Sequence, residues 1–504
     1  MNGLSSRRHH FQAFNTRPSR LKRVLTINLW LVTCTAVAYY LWWPKHTFPS
    51  SVAKHLRNGL WAESDKGEKD YQLALKHYLE ALEECNRLKM DPLTDEYTGI
   101  LLKIGEMYER MDRAEDAALV YNELATLYLA VLKAAPSSAM GSRVRGSAHR
   151  AHLIQKDLRI ALKLVELNHL NALLSKAILI THLLIAQEEV NKRLGSLADL
   201  ASIMNASDLF NKDIDKNVSE AQKLLSQLSC NAEAAIAPAT IVIETNPEAW
   251  EPFAEEFFNA MDVLSAICIS EGDVETASGI RIAMAAKMVV AGVSPERLLI
   301  AQCNTASLLY FQAEQLEAQE FQMRQNFAEV AGVDHDKIKA IHDHLHPTTV
   351  APEEAEEIRQ KVKTAASKDD MAQYEKIIAN KNELLKMVVA IYQSVIDGSK
   401  QLSGEVANEN VVIAESVALA TYGLGVVHLH LAKYDKAERF LREARVRSKG
   451  CQYDALIGEI EYELVKLFEE RKTMQQKSGG AIEMDIHFNK TIGKIKGRRG
   501  DEGK

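Results

Sequence analysis

Turn-forming residues are scarce in this chain of 504 residues. It contains 24 glycines and 11 prolines, too few for the many short strands and tight turns of a β-sandwich, barrel or propeller. Hydrophobic residues make up 47% of the chain and aromatic residues 7%, a composition that supports a large folded body and argues against general disorder. The sequence therefore predicts an all-α protein.

Motifs of known chemistry are missing as well. The six cysteines lie far apart without a CxxC pair, so their spacing encodes neither a disulfide framework nor a thiolate zinc site. The chain has no glycine-rich phosphate loop after a strand, no HExxH and no GxSxG, the patterns of nucleotide binding, zinc peptidases and serine hydrolases. We therefore expect no catalytic residue, no cofactor and no resident metal, and a protein that is not an enzyme.

One histidine-rich stretch leaves a metal site open as an alternative. His342, His344 and His346 are each two residues apart. In a helix, this spacing places them on different faces, so that only an extended or looped backbone could bring them together. A solvated polar connection is the favoured interpretation.

Acidic residues are absent from the first 62 positions. Residues 1–43 carry six basic side chains, whereas the remainder carries 55 basic and 68 acidic residues, a net charge of −13. A net-acidic body without a basic stripe attracts nucleic acid poorly. We therefore expect no nucleic-acid partner.

A hydrophobic run from 24 to 43 contains twenty residues without a formal charge. At about 1.5 Å per residue, a helix of this length crosses a hydrocarbon layer of roughly 30 Å. Aromatic residues crowd its distal end, as they do at a headgroup boundary. We predict a retained transmembrane helix at 24–43, preceded by a basic arm at 1–23 and followed by a helical repeat domain at 44–478 and a flexible tail at 479–504. A cleaved signal peptide or a buried core helix are the alternatives.

The basic arm has the composition of a mitochondrial targeting segment, since it is rich in arginine and serine and has no acid. Basic residues next to a span also fix its orientation. The arm is therefore predicted to stay on the matrix or cytosolic side, with the repeat domain across the membrane.

Three stretches of equal length share one helix–turn–helix pattern, namely 98–131, 258–291 and 418–451. In the first, Gly105 and Ala117 are the small residues at which two antiparallel helices would cross most closely. The pattern is typical of tetratricopeptide repeats.

Two weaker matches extend the repeats. The stretch 55–88 fits in its second half but is interrupted around 64–69, and the stretch 299–332 fits poorly. Helical periods between the matches suggest divergent hairpins in the same stack. The predicted architecture is a divergent tetratricopeptide-type α-solenoid that follows one N-terminal transmembrane helix.

A solenoid of this type presents the first helix of each repeat to a concave groove. The residues expected on that inner face are candidates for binding a partner. They are Lys103, Glu106, Arg110, Asn259, Asp262, Tyr422, Val426 and His430.

The order of parts is a basic arm, one span and a divergent repeat domain of about 460 residues. In this order and length the chain resembles the fungal tetratricopeptide adaptor subunits of the mitochondrial i-AAA protease. The resemblance implies a single-pass protein of the inner membrane, with its amino terminus in the matrix and its repeats in the intermembrane space. It also implies binding to the membrane-embedded AAA protease with a second adaptor subunit, and delivery of unfolded or misfolded clients; ATP hydrolysis and peptidase chemistry would belong to the protease.

Two other assignments stay open at this point. One is a tetratricopeptide import receptor of the mitochondrial outer membrane, with its repeats in the cytosol. The other is a single-span scaffold of the secretory pathway, for which Asn205, Asn217 and Asn489 lie in glycosylation sequons.

Overall fold

The fold described by the computed structural model is helical. In the ranges described there is no strand, which confirms the all-α prediction for them. The ranges are 30, 32–35, 47–67, 69–194, 245–334, 337–338, 352–365, 367–402 and 410–477. The chain divides into two compact units, Met1–Val120 and Tyr121–Lys504.

The first unit is built from a series of short helices. They are α1 (Ser50–Glu63), α2 (Tyr71–Arg87), α3 (Asp95–Arg110) and the beginning of α4 (Ala114–Leu132), within which the unit boundary falls. The predicted interruption at 64–69 is the connection between α1 and α2. The Asp70 carboxylate caps α2 by accepting hydrogen bonds from the backbone N–H groups of Gln72 and Leu73.

The second unit contains the remaining helices of the described ranges. They are α5 (Ser147–Leu167), α6 (Ala172–Leu194), α7 (Ala254–Ser270), α8 (Val274–Val290), α9 (Pro295–Ala331), α10 (Pro352–Ala365), α11 (Lys368–Gln401), α12 (Val411–His430), α13 (Tyr434–Gly450) and α14 (Asp454–Lys477). Two 3₁₀ turns, Gly141–Arg143 and Pro247–Ala249, lie among the connections.

The three strong repeat matches form helix pairs with the same turn between them. The turn centres on Asp112, Gly272 or Ala432, with φ of 57°, 80° and 53° respectively. In each turn, the N–H of the next residue donates to the carbonyl five residues earlier at 2.9 Å, the hydrogen bond of a Schellman helix end. The predicted breaks at 111–113, 271–273 and 433–435 therefore coincide with the observed turns to within two residues.

The weak match at 299–332 is wrong as a helix–turn–helix repeat. Residues Pro295–Ala331 form one continuous helix of 37 residues, because no glycine, proline or asparagine interrupts the middle of this stretch. This helix, α9, pairs antiparallel with α11, which has 34 residues. Contacts along the pair join Ser307 to Tyr392 at 2.9 Å and Glu320 to Lys381 at 2.5 Å.

The predicted span at 24–43 lies mostly outside the described residues. Trp30 and residues 32–35 are helical, and Trp30 is 73% exposed. Within the described ranges, α12 is the helix that is long and apolar enough to cross a membrane by length and composition, and 61% of its most apolar stretch is buried. Burial of this extent among α9, α11 and α13 is typical of a core helix.

Close helix contact in the α12–α13 hairpin depends on a small residue. A Cβ atom added to Gly425 would lie 2.7 Å from Leu441 Cδ2 and 3.2 Å from the Leu441 backbone nitrogen. Leu441 and Ala437, one turn earlier on α13, are both fully buried. The helices can approach this closely only because residue 425 has no side chain.

We expect Gly425→Ala to destabilise the protein by about 1–3 kcal/mol, since the added methyl group must push α13 away from α12. Gly458→Ala is the matched control, because no atom lies within 4 Å of a Cβ at this helical position. There alanine should be neutral or stabilising by up to about 1 kcal/mol. Thermal unfolding followed by circular dichroism measures both changes, and equal effects of the two substitutions would contradict the packing argument.

Candidate functional site

The eight predicted groove residues lie on three helices and in both units. Lys103, Glu106 and Arg110 belong to α3, Asn259 and Asp262 to α7, and Tyr422, Val426 and His430 to α12. Each group is therefore described with its own neighbours.

The three residues on α3 form a chain of ion pairs. Lys103 Nζ lies 3.0 Å from Glu63 Oε1 and 2.8 Å from Glu106 Oε2. Arg110 Nη2 lies 2.5 Å from Glu106 Oε1, and its guanidinium group stacks over the Tyr71 ring at 5.5 Å. The positive charges on this face are thus already paired within the unit.

The two residues on α7 differ in their surroundings. Asn259 is exposed, whereas Asp262 Oδ1 lies 2.9 Å from Arg281 Nη2 on α8. Arg281 Nε also donates to Ser265 Oγ at 3.0 Å. Asp262 therefore helps to hold the α7–α8 hairpin together.

The three residues on α12 are half-buried, and His430 has contacts to α9. Tyr310 packs edge-on against the His430 ring at 5.8 Å, and its hydroxyl lies 3.4 Å from His430 Nδ1. Glu317 Oε2 lies 3.4 Å from His430 Nε2. Tyr422 packs against the hydrophobic core that α12 shares with α13 and α14.

Several carboxylates act electrostatically on these aromatic rings. Burial raises the pKa of Tyr422 to about 12, and the charges of Glu463 and Glu459 add to the rise. Burial also raises the pKa of Tyr310, with further contributions from Glu314, Glu463 and Glu317. We call this set of residues the acidic–aromatic surface: Tyr310, Glu314, Glu317, Tyr422, His430, Glu459 and Glu463.

The chemistry of this surface favours a cationic or aromatic ligand. Glu314 and Glu459 are exposed, while Glu463 is half-buried beside other carboxylates. Carboxylates attract lysine and arginine side chains, and ring faces add cation–π attraction. Sequence analysis found Tyr422 and His430 but missed the carboxylates, since those lie on other helices.

A buried polar network in the second unit was also missed. His182 Nδ1 on α6 lies 2.7 Å from Asp157 Oδ2 on α5, with both side chains buried. Arg150 Nε donates to Glu189 Oε2 at 2.8 Å between the same helices. Burial raises the pKa of Asp157, and the hydrogen bond to His182 opposes the rise. One feature of the sequence predicts such a buried pair: Asp157 lies three positions after Ile154, in a helix face that is otherwise apolar.

A further set of polar contacts joins α5 and α6 to α7. Glu256 Oε1 accepts hydrogen bonds from Arg159 Nε at 2.6 Å and from Gln155 Nε2 at 3.1 Å. Lys176 pairs with Glu271 at the end of α7. These contacts join α5, α6 and α7 through side chains that are far apart in sequence. The histidine stretch His342, His344 and His346 lies outside the described residues.

We expect Glu463→Gln to stabilise the protein at neutral pH. Burial raises the pKa of Glu463, and the charges of Glu470, Glu459 and Glu314 raise it further against the opposing Lys466. A group whose pKa is raised on folding contributes stability below its unfolded value, about 4.5, and loses it as the pH rises through the folded value. The variant should therefore be more stable than the wild type at pH 7 and equally stable near pH 4.

Thermal unfolding measured across this pH range tests the prediction. Glu461→Gln is the matched control, because residues two apart on a helix point to opposite sides. An advantage of Glu463→Gln that persists unchanged at pH 4, or one that Glu461→Gln shares, would show that ionisation of the half-buried Glu463 carboxyl is not its cause.

Comparison with known proteins gives the family. The family model of the MGR3 middle domain matches residues 137–293, the region that includes α5 to α8. Over 463 residues the chain is 30% identical to the mitochondrial inner membrane i-AAA protease supercomplex subunit MGR3 of Saccharomyces cerevisiae, which covers 89% of this chain and 84% of that protein. It is 26% identical over 480 residues to the Protein MRG3-like of the same yeast, with 91% and 93% covered.

Among solved structures, a circular tandem repeat protein with novel repeat topology aligns with 84% of this chain and 90% of its own at 13% identity. The TM-score is 0.17, so this alignment carries no argument. The family assignment depends instead on the sequence identity and the coverage shared with the yeast subunit. The chain belongs to the MGR3 family of i-AAA protease supercomplex subunits.

Proposed function

We propose that this protein is a membrane-anchored adaptor that binds unfolded or misfolded mitochondrial proteins and presents them to the i-AAA protease. Residues 24–43 anchor it in the inner membrane, with the amino terminus in the matrix and the helical domain in the intermembrane space. It binds the AAA protease together with a second adaptor subunit. The protein itself catalyses no reaction, and peptide-bond cleavage occurs in its partner.

The observation that carries this proposal is membership of the MGR3 family over most of the chain. The yeast relative is named as a subunit of the inner membrane i-AAA protease supercomplex, and the alignment leaves only 11% of this chain uncovered. A relationship of this extent favours a shared assembly.

The repeat geometry supports a tetratricopeptide-type solenoid. The hairpins at 98–131, 258–291 and 418–451 have the same left-handed turn at the same offset. Stacked hairpins of this kind bury a continuous core and leave extended surfaces for binding segments of other proteins. The proposed function uses such a surface in place of an active site.

The acidic–aromatic surface is the proposed contact for clients. Unfolded polypeptides expose lysine, arginine and aromatic side chains together, and the surface offers carboxylates beside half-buried rings. Weak binding is sufficient, since an anchor in the same membrane as the protease raises the local concentration of bound clients to the millimolar range.

Removal of residues 1–43 tests the tether. We expect the truncated protein to remain helical and folded, to leave the membrane fraction on carbonate washing, and to lose its acceleration of client degradation in mitochondrial membranes. A truncated protein that still sediments with membranes and still accelerates client turnover would show that tethering is wrong.

Neutralisation of three carboxylates, the exposed Glu314 and Glu459 and the half-buried Glu317, tests the client surface. The combined variant Glu314→Gln, Glu317→Gln and Glu459→Gln should weaken binding of an unfolded peptide that carries lysine and phenylalanine by about tenfold, since each exposed ion pair is worth about 0.5 kcal/mol. Fluorescence anisotropy with the labelled peptide measures the affinity.

The matched control neutralises three exposed carboxylates of α10 in the same unit, Glu353→Gln, Glu356→Gln and Glu357→Gln. A peptide with its lysines replaced by glutamates gives the second control. Equal weakening by both triple variants, or equal binding of both peptides, would assign the attraction to net charge and contradict a local client site.

A further inference from the structure

Two histidines and one glutamate converge in the first unit, whereas the acidic–aromatic surface belongs to the second. His55 lies on α1, and His77 and Glu80 lie three residues apart on α2. His55 Nδ1 and His77 Nδ1 are each 3.0 Å from the same oxygen, Glu80 Oε2. The three donor atoms all lie within 4.8 Å of one another.

The helical hairpin brings these side chains together. A spacing of three residues places His77 and Glu80 on one face of α2, and the antiparallel α1 brings His55 opposite them. The two helices can approach closely because Gly59 has no side chain. A Cβ atom at this position would lie 2.6 Å from the Tyr78 ring. The tyrosine is fully buried, so the positions of His77 and Glu80 on either side of it are fixed by the core.

We propose that His55, His77 and Glu80 bind a divalent transition-metal ion of the zinc class. Imidazole nitrogen and carboxylate oxygen form the donor set that Zn²⁺ accepts, with ligand distances of about 2.0–2.2 Å. Ligands at these distances in a tetrahedron are about 3.3 Å apart, close to the observed 3.0 Å. The third distance, between the two Nδ1 atoms, is at most 4.8 Å, so side-chain movements of up to about 1.5 Å bring the three donor atoms to tetrahedral spacing.

Access and charge also fit a metal ion. The three side chains are between 21% and 35% exposed, which leaves room for water as a fourth ligand. Glu84, one turn after Glu80, is engaged by Arg87 through contacts of 2.7 and 2.6 Å and is not the fourth ligand. One carboxylate and two imidazole groups form the same ligand set as some open zinc sites.

Hydrogen bonding is the competing explanation for the same distances. For both rings to donate to Glu80, each must carry a proton on Nδ1, whereas a metal ion uses the Nδ1 lone pairs and needs both protons removed. Asparagine separates the two explanations, because its side-chain N–H₂ group occupies nearly the position of Nδ1 and donates a hydrogen bond but is a poor zinc ligand.

Zinc titration of the full chain, purified in mild detergent and stripped with a chelator, tests the proposal. We expect one Zn²⁺ ion per chain by calorimetry, tetrahedral absorption bands with Co²⁺, and a higher melting temperature with zinc. His55→Asn and His77→Asn should each weaken zinc binding at least about tenfold while leaving the metal-free melting temperature near the wild-type value.

The histidine stretch 342–346 provides the control. The triple variant His342→Asn, His344→Asn and His346→Asn should bind Zn²⁺ as the wild type does. The proposal is overturned if the wild type takes up no stoichiometric zinc at micromolar concentration, or if the affinity is lost in the triple variant and kept in His55→Asn and His77→Asn. Neither readout involves the protease, so this result is independent of the adaptor proposal.

Discussion

The close approach of paired antiparallel helices is the constraint on which the rest of this structure depends. At Gly425 against Leu441, and at Gly59 against Tyr78, a single added carbon would collide with the facing helix. Contact this close lets each hairpin bury large side chains, although isolated helices of this length are marginal in water. Interactions within the hairpins, such as that of Asp262 with Arg281, then act on helices whose spacing is already fixed.

The hairpins could be predicted from sequence because their signals are local. A small residue at the crossing, a turn residue that tolerates positive φ and a cap all lie within one stretch, as in 258–291 with Gly272 and Asp273. The stretch 299–332 has the same apolar spacing without a turn. Its helix continues to Ala331 and pairs with α11, whose register is set by contacts such as that of Ser307 with Tyr392, 85 residues away.

The candidate site could be predicted only in part for the same reason. Helical spacing selects the residues on one face of a helix, and Tyr422 and His430, which were selected in this way, both lie half-buried on α12. It gives no information about neighbours on other helices. Lys103 contacts Glu63, forty residues away in sequence, and His430 contacts Tyr310, 120 residues away. The residues that pair with these side chains can therefore be identified only from the three-dimensional structure.

Pairing of charge distinguishes the two faces that sequence analysis grouped together. On α3, Lys103, Glu106 and Arg110 neutralise one another, so an incoming charged segment would have to break existing ion pairs. On the acidic–aromatic surface, burial raises the pKa of Glu463, and the neighbouring charges of Glu470, Glu459 and Glu314 raise it further. A cationic segment bound at the proposed client site would reduce the repulsion among these carboxylates. Folding brings these negative charges together at a cost in free energy, and a bound cation would offset part of that cost. This is the physical reason for placing the proposed client site on the acidic–aromatic surface.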